Sequence, residues 1–230
     1  VPPLGTGAWA LGWKSLTMQL RAPGQAAALL LLATLAMPLL AAAFLRQIHH
    51  HALLRQAPLL VVYLAWSTGV GLFRGQQAEL KKVDLLKSLP IPAWSLVLAQ
   101  TAPAVVGWSL AVCGGLGVLA WAAPEVDRQL CLAVGLAVPA LMALVSTSNA
   151  ALAMIFPAST DPAQVALGQT MLLGCSGLVA APGMVVGAVL WSLDHPPIAV
   201  GLATGGVFGL TAVLCLVVAA ALYRRFDPTD

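Results

Sequence analysis

Long apolar runs separated by short polar segments dominate the chain. Six such runs extend over residues 26–45, 54–73, 93–122, 130–155, 164–192 and 198–223. Each provides the roughly 20 residues that a helix needs to cross a bilayer at a rise of about 1.5 Å per residue. Leucine and alanine follow one another without alternation of polar and apolar positions, which favours helices over membrane strands. The pattern therefore predicts an all-α, polytopic membrane bundle of six transmembrane helices, folded as a single domain over residues 1–230.

Two shorter segments have an amphipathic pattern. In residues 8–22, Trp9, Trp13, Leu16 and Leu20 recur at three- and four-residue spacing, which predicts an N-terminal helix lying in the membrane interface. In residues 76–89 an apolar stripe recurs every three residues, formed by Leu80, Val83, Leu86 and Leu89. That second segment is predicted to be a short helix along the membrane surface.

Proline and glycine also mark positions inside the apolar runs. Pro38, Pro58, Pro103 and Pro139 are expected to produce kinks that neighbouring helices tolerate. Pro182 followed by Gly183 predicts a break within the fifth run.

Composition agrees with a membrane location. Of the 230 residues, 60% are hydrophobic and only 8% are charged, and the mean hydropathy is +0.92. A soluble domain usually has about 25% charged residues, so this chain lacks the polar surface that a water-soluble fold of its size requires. The net charge of +3 is small, and we expect no nucleic-acid partner.

The basic residues predict the orientation. If the N-terminus is cytoplasmic, eight basic residues lie inside and three lie outside, the inner set being Lys14, Arg21, Arg74, Lys81, Lys82, Lys87, Arg224 and Arg225, and the outer set Arg46, Arg55 and Arg128. The positive-inside rule then places both termini in the cytoplasm of a multi-pass protein of the inner, or plasma, membrane.

The segment at 74–92, RGQQAELKKVDLLKSLPIP, contains more charged residues than any other segment between the predicted spans. Acidic and basic residues alternate on the polar side of its predicted helix, with pairs such as Glu79 and Lys82, or Asp84 and Lys87, three residues apart. The helix stops at Pro90 and Pro92. The positive-inside rule accounts for the lysines, but charges of both signs are more typical of a surface that docks a protein partner.

The sequence VDLLKSLPIPAWSLVLAQ resembles the first cytoplasmic loop of ABC-2-type transporter permeases, the membrane subunits of ABC exporters. In that family the loop has an acidic residue among leucines, then a small residue and Leu-Pro, and it forms the coupling helix that contacts the ATPase subunit. Asp84 matches the acid, Glu79 matches a second acid, and Ser88, Leu89 and Pro90 match the stop. Lys81 stands where the family often has glycine, so the start of the helix departs from the pattern.

This resemblance implies a function and partners. The chain would be the permease subunit of an ATP-driven exporter, paired as a homodimer or heterodimer and bound to a separate ABC ATPase, with no cofactor or catalytic residue of its own. The sequence contains no G-x-x-x-x-G-K-[ST] phosphate loop, so ATP and magnesium would bind in the partner. The ATPase-coupling residues would be Glu79, Lys81, Lys82, Asp84, Lys87, Ser88, Leu89 and Pro90. Phe156, Pro157 and Asp161, in a second predicted cytoplasmic loop, would form a further contact.

Two alternatives stay open. Three adjacent histidines, His49–His51, favour a permease like the haem exporter of cytochrome c maturation, although adjacent imidazoles diverge too far on a helix to form a good chelate. A membrane scaffold or assembly factor without transport activity is the other alternative.

Within the spans, Asn149 and Gln169 could line a translocation path, while most polar residues in membrane helices pack against neighbouring helices. The cysteines have no metal-type spacing, and we expect no metal site.

Overall fold

Five helices make up the described part of the protein. The computed structural model describes residues 56–71, 91–155 and 162–225, together with Ala10 and Ala43. The helices are α1 (Ala57–Gly71), α2 (Ala93–Ala122), α3 (Arg128–Ile155), α4 (Pro162–Ser192) and α5 (Pro197–Arg225), and these ranges contain no strand. Four segments are long and apolar enough to cross a membrane, namely Ala93–Ala122, Arg128–Ile155, Leu173–Ser192 within α4, and Pro197–Arg225. The chain is therefore a helical, multi-pass membrane protein.

The helix bounds agree closely with the last four predicted spans. α2, α3, α4 and α5 fall on the runs predicted at 93–122, 130–155, 164–192 and 198–223, and α1 falls inside the run at 54–73. The first predicted span at 26–45, the interfacial helix at 8–22 and the helix at 76–89 lie outside the described residues, apart from Ala10 and Ala43. The total of six spans stays a prediction.

The predicted break at Pro182 and Gly183 is wrong, because α4 is continuous through both residues. Pro182 is exposed, so its ring meets no tightly packed neighbour, whereas Gly183 is buried against the ring of Phe208 on α5. A proline removes one backbone hydrogen bond, and packing of the adjacent turn against a neighbouring helix holds the helix together.

Local signals determine several helix ends. α3 begins after Asp127, whose Oδ1 accepts hydrogen bonds from the backbone N–H groups of Gln129 at 2.9 Å and Leu130 at 3.2 Å. This is an N-cap, which satisfies donors that the first helical turn leaves free. α5 begins with Pro197, a residue whose fixed φ suits the first position of a helix.

The end of α4 is a Schellman motif. The N–H of His195 donates to the carbonyl of Leu190 at 3.2 Å, and that of Asp194 to the carbonyl of Trp191 at 3.2 Å. Asp194 has a φ of 54°, and aspartate is among the few residues other than glycine that adopt this left-handed conformation readily. The motif reverses the chain within four residues, so α4 and α5 pack as an antiparallel pair.

α3 is the central helix. It packs against each of the other four and most extensively against α5. The contact with α5 is close because small residues face each other: a methyl group added at Gly201 would lie 2.5 Å from the carbonyl oxygen of Ala133, and one added at Gly205 would lie 3.4 Å from the Cα of Ala137. Small residues at helical spacing let membrane helices approach backbone to backbone, where dispersion contacts replace the hydrophobic drive that lipid does not supply.

Two buried apolar clusters divide the bundle along its length. The larger joins the start of α1, the C-terminal half of α2, the N-terminal half of α3 and the middle of α5, and it includes Ala180 of α4. The smaller joins the start of α2 to the ends of α3 and α5, through residues that include Ala93, Met154 and Tyr223. We call the end with the connections at 123–127 and 193–196 the loop end, and the end where α2 begins and α3 and α5 terminate the tail end.

Candidate functional site: a buried polar layer in the bundle

A polar layer on α3 lies between the two apolar clusters. On this helix the larger cluster ends at Val145 and the smaller begins at Ala151. The four residues Ser146, Thr147, Ser148 and Asn149 lie between them and are all buried. Because buried polar groups are costly in a membrane unless they are satisfied, this layer is the part of the described bundle with the strongest chemical constraint.

Hydroxyl groups in this region bond to carbonyls of their own helix. Thr147 Oγ1 donates to the carbonyl of Ala143 at 2.8 Å, and Ser148 Oγ to that of Val145 at 3.0 Å. On α2, Thr101 is also buried between the two clusters, and its Oγ1 donates to the carbonyl of Val97 at 3.0 Å. These bonds satisfy the hydroxyl hydrogens without a ligand, which agrees with a packing role for the three residues.

Asn149 differs from its neighbours because an amide carries two donors and an acceptor that one helix cannot easily satisfy. Its side chain is only 1% exposed and lies on the same face of α3 as Ser146, three residues before it. In this conformation Asn149 is therefore closed off from both solvent and lipid. Its assignment to a translocation path stays a prediction, and such a path would require the helices around α3 to separate.

The other predicted path residue is Gln169. Its backbone belongs to α4, while its side chain lies outside the described residues. Thr170, the next residue, has an exposed side chain.

The predicted ATPase-coupling residues also lie outside the described residues, as do Phe156, Pro157 and Asp161. The structure does locate the residues on either side of these segments. α2 begins at Ala93 and α3 ends at Ile155, and both helix ends lie at the tail end beside the smaller cluster. α4 is antiparallel to α5, since Gly183 packs on Phe208 and Gly187 on Thr204, so Pro162 also lies at the tail end.

The direction of α1 through the bundle follows from its contacts. Ala57 and Val61, at its start, belong to the larger cluster together with Val126 of the loop end. Further along, the indole ring of Trp66 lies against Gly177 of α4, within 3.4 Å of where a methyl group on that glycine would stand. α1 therefore runs from the loop end towards the tail end, antiparallel to α2.

A hydrogen bond between α2 and α3 was not predicted from the sequence. Pro139 has no N–H and leaves the carbonyl of Gly135, four residues earlier, without its helical partner. The thiol of Cys113 on α2 donates to this carbonyl oxygen, with a sulfur–oxygen distance of 3.6 Å. The proline and the cysteine are separate signals in the sequence, and only the packing of α2 against α3 relates them.

Residues 56–71, 91–155 and 162–225 contain no group of three or more His, Cys, Asp or Glu side chains that could bind a metal ion. His195 is exposed at the loop end, and all four cysteines are free thiols. His49–His51 lie outside the described residues.

The two ends of the bundle differ in charge. Glu125, Asp127 and Asp194 lie at the loop end with Arg128, whereas Arg224 and Arg225 are exposed in the last turn of α5 at the tail end.

Comparisons of the chain with protein-family models, with curated proteins and with solved structures found no match.

Proposed function

We propose that this protein is the membrane-spanning permease subunit of an ATP-driven exporter of the ABC-2 type. It would have six spans, an interfacial N-terminal helix and a coupling helix at 76–89, and it would work as a dimer bound to a separate ATPase. In this proposal the tail end faces the cytoplasm of a cell whose inner membrane holds the protein.

One observation carries the proposal: the amphipathic segment at 76–89, with its acids among leucines and its stop at Pro90 and Pro92, connects two antiparallel helices. The described ends of α2, α3 and α5 meet at the tail end, and the connection at 156–161 joins the end of α3 to the start of α4 there. A motor subunit docked at this end would be within reach of both predicted contact segments and could move the bundle through them.

The charge distribution along the spans supports an external motor. No Asp, Glu, Lys or Arg occurs in residues 93–122, 129–155, 162–192 or 197–223. Carriers driven by protons or sodium usually place an ionisable group or an unwound polar stretch near mid-membrane. The four described spanning segments instead provide a closed, apolar bundle with a buried polar layer, which suits a subunit moved from outside by ATP-dependent closure of a partner.

The proposal predicts that reversal of two acidic charges releases the ATPase. The tagged chain, purified in mild detergent from the cells that naturally produce it, should retain a chain carrying a phosphate-loop sequence. Glu79→Arg combined with Asp84→Arg should abolish this retention, because two attractive contacts become repulsive in a docking surface.

The matched control makes the same change of charge at the opposite end, as Glu125→Arg combined with Asp194→Arg. It should keep the ATPase bound, and thermal unfolding of both variants checks that the bundle is intact. Retention of the ATPase by the Glu79 and Asp84 variant would refute docking through this segment. If the wild-type chain retains no ATPase, the scaffold hypothesis becomes the better one.

The haem-exporter alternative depends on His49–His51 alone. Replacement of all three by alanine should leave export unchanged under the leading proposal and should abolish it if these residues handle haem.

A further inference from the structure

We infer that the corner formed by the start of α2 and the end of α5 binds the headgroup of an anionic phospholipid through Arg224, Arg225 and Trp94. This inference concerns a lipid site, and it holds whether or not the chain belongs to an exporter.

The two helix ends meet through buried contacts. Ala93, the first residue of α2, and Tyr223, in the last turn of α5, both belong to the smaller apolar cluster and are 8% and 2% exposed. Their neighbours in sequence, Trp94 and Arg224, are both exposed. Each exposed residue is therefore the direct neighbour in sequence of a residue of the smaller cluster, at the tail end where α2 begins and α5 terminates.

The depth of this corner in the membrane follows from residue chemistry. Trp94 is 51% exposed, and amphipathic indole rings concentrate at the level of the lipid headgroups. Further from the tail end, the exposed side chains of α5 are apolar, as expected for contact with acyl chains, and they include Val213, Leu214, Val217 and Val218. Arg224 and Arg225 therefore lie where apolar contact with lipid ends and phosphate groups begin.

Charge complementarity selects the kind of lipid. Arg224 and Arg225 are adjacent and both exposed in the last turn of α5. The described tail end carries two adjacent guanidinium groups, and guanidinium binds phosphate oxygens in a bidentate geometry. Zwitterionic lipid brings its own cation to the site, whereas an anionic lipid brings none, so the arginines favour the anionic headgroup.

The test measures lipid binding to the purified full-length chain. In detergent solution, phosphatidylglycerol is titrated against phosphatidylcholine, with retained lipid counted by native mass spectrometry and thermal unfolding followed in parallel. We expect the wild-type chain to retain phosphatidylglycerol preferentially and to gain thermal stability from it. Arg224→Gln with Arg225→Gln should weaken this binding roughly 30-fold, which corresponds to about 1 kcal/mol for each arginine near an anionic surface.

Arg128→Gln is the matched control, because it removes an exposed arginine from the loop end and should leave phosphatidylglycerol binding unchanged. Trp94→Leu keeps the apolar contact but loses the amphipathic ring, and we expect a smaller weakening of about threefold to tenfold. The proposed site would be wrong if the variant without Arg224 and Arg225 bound phosphatidylglycerol as strongly as the wild-type chain. It would also be wrong if Arg128→Gln weakened this binding as much as the loss of Arg224 and Arg225 does. Inorganic phosphate provides the last arm: if it stabilises the chain as strongly as the lipid does, the site recognises a free phosphate and the lipid assignment is wrong.

Discussion

At the scale of single residues, glycine positions separate tight packing from open surface. On α5, Gly201 lies against the backbone of Ala133, while Gly206 has nothing within 4 Å of the position a methyl group would take. Both are glycines in the same apolar helix, and their roles cannot be distinguished from composition. The difference follows from which face of α5 meets α3.

Alanine substitution at these two glycines should have opposite effects. Gly201→Ala places a methyl group 2.5 Å from a backbone oxygen, which cannot move without shifting α3, so we expect a loss of about 1–3 kcal/mol of stability. Gly206→Ala meets open space and should stabilise the helix by roughly 0.5–1 kcal/mol through reduced backbone freedom of the unfolded chain. Reversible unfolding in mixed micelles measures both. A similar loss at both positions would contradict the close approach of α5 to α3.

At the scale of helices, each proline has a different structural consequence. Pro182 is exposed and leaves α4 continuous, Pro103 is buried in α2, and Pro139 frees a carbonyl that α2 satisfies through Cys113. The sequence predicts that a freed carbonyl needs a new partner, but the identity of that partner depends on the neighbouring helix.

A double-mutant cycle tests the bond between Cys113 and Gly135. Cys113→Ala removes the donor and should cost about 0.6 kcal/mol, the average for a side-chain hydrogen bond between membrane helices. Pro139→Ala restores the N–H that Gly135 lacks, so Cys113→Ala should cost close to nothing in that background. The unfolding free energies of the wild-type chain, the two single variants and the double variant give the coupling energy between Cys113 and Pro139. Cys113→Ser retains a donor and is the control that should behave like wild type, and an equal cost of Cys113→Ala in both backgrounds would exclude the bond.

At the scale of the whole molecule, the bundle has two chemically different ends. The alternation of α1 to α5 places the connections at 123–127 and 193–196 at one end, and the start of α2 with the ends of α3 and α5 at the other. The positive-inside rule predicts that Arg224 and Arg225 face the cytoplasm, together with the basic segment at 74–92.

Thiol labelling in intact cells tests this orientation. In a chain whose four cysteines are replaced by serine, His195→Cys should react with a membrane-impermeant maleimide from outside the cell. Arg225→Cys should react only after the membrane is opened, because α5 crosses the bilayer between these positions. The reverse labelling would show that both the orientation and the proposed cytoplasmic docking face are wrong.

Most of the described fold could be predicted from sequence because a membrane helix depends on a local property. About 20 successive apolar residues suffice to span the bilayer, and local signals such as Asp127 and Pro197 mark where α3 and α5 begin. The candidate site was predicted less well. The run from Ser146 to Asn149 is visible as a polar interruption, but its burial between two apolar clusters depends on residues that the other helices contribute.

The sequence by itself determined the membrane environment, the positions of the helices that the structure describes and the segments that carry charge, because each depends on residues close together in the chain. The tertiary structure decided which glycines face a neighbouring helix, which thiol satisfies the carbonyl freed by Pro139, and that Asn149 is enclosed. These depend on the rotation and depth of one helix relative to another. In a lipid-solvated bundle every face of a helix can be apolar, so close packing between small residues, and not hydrophobicity, fixes that rotation.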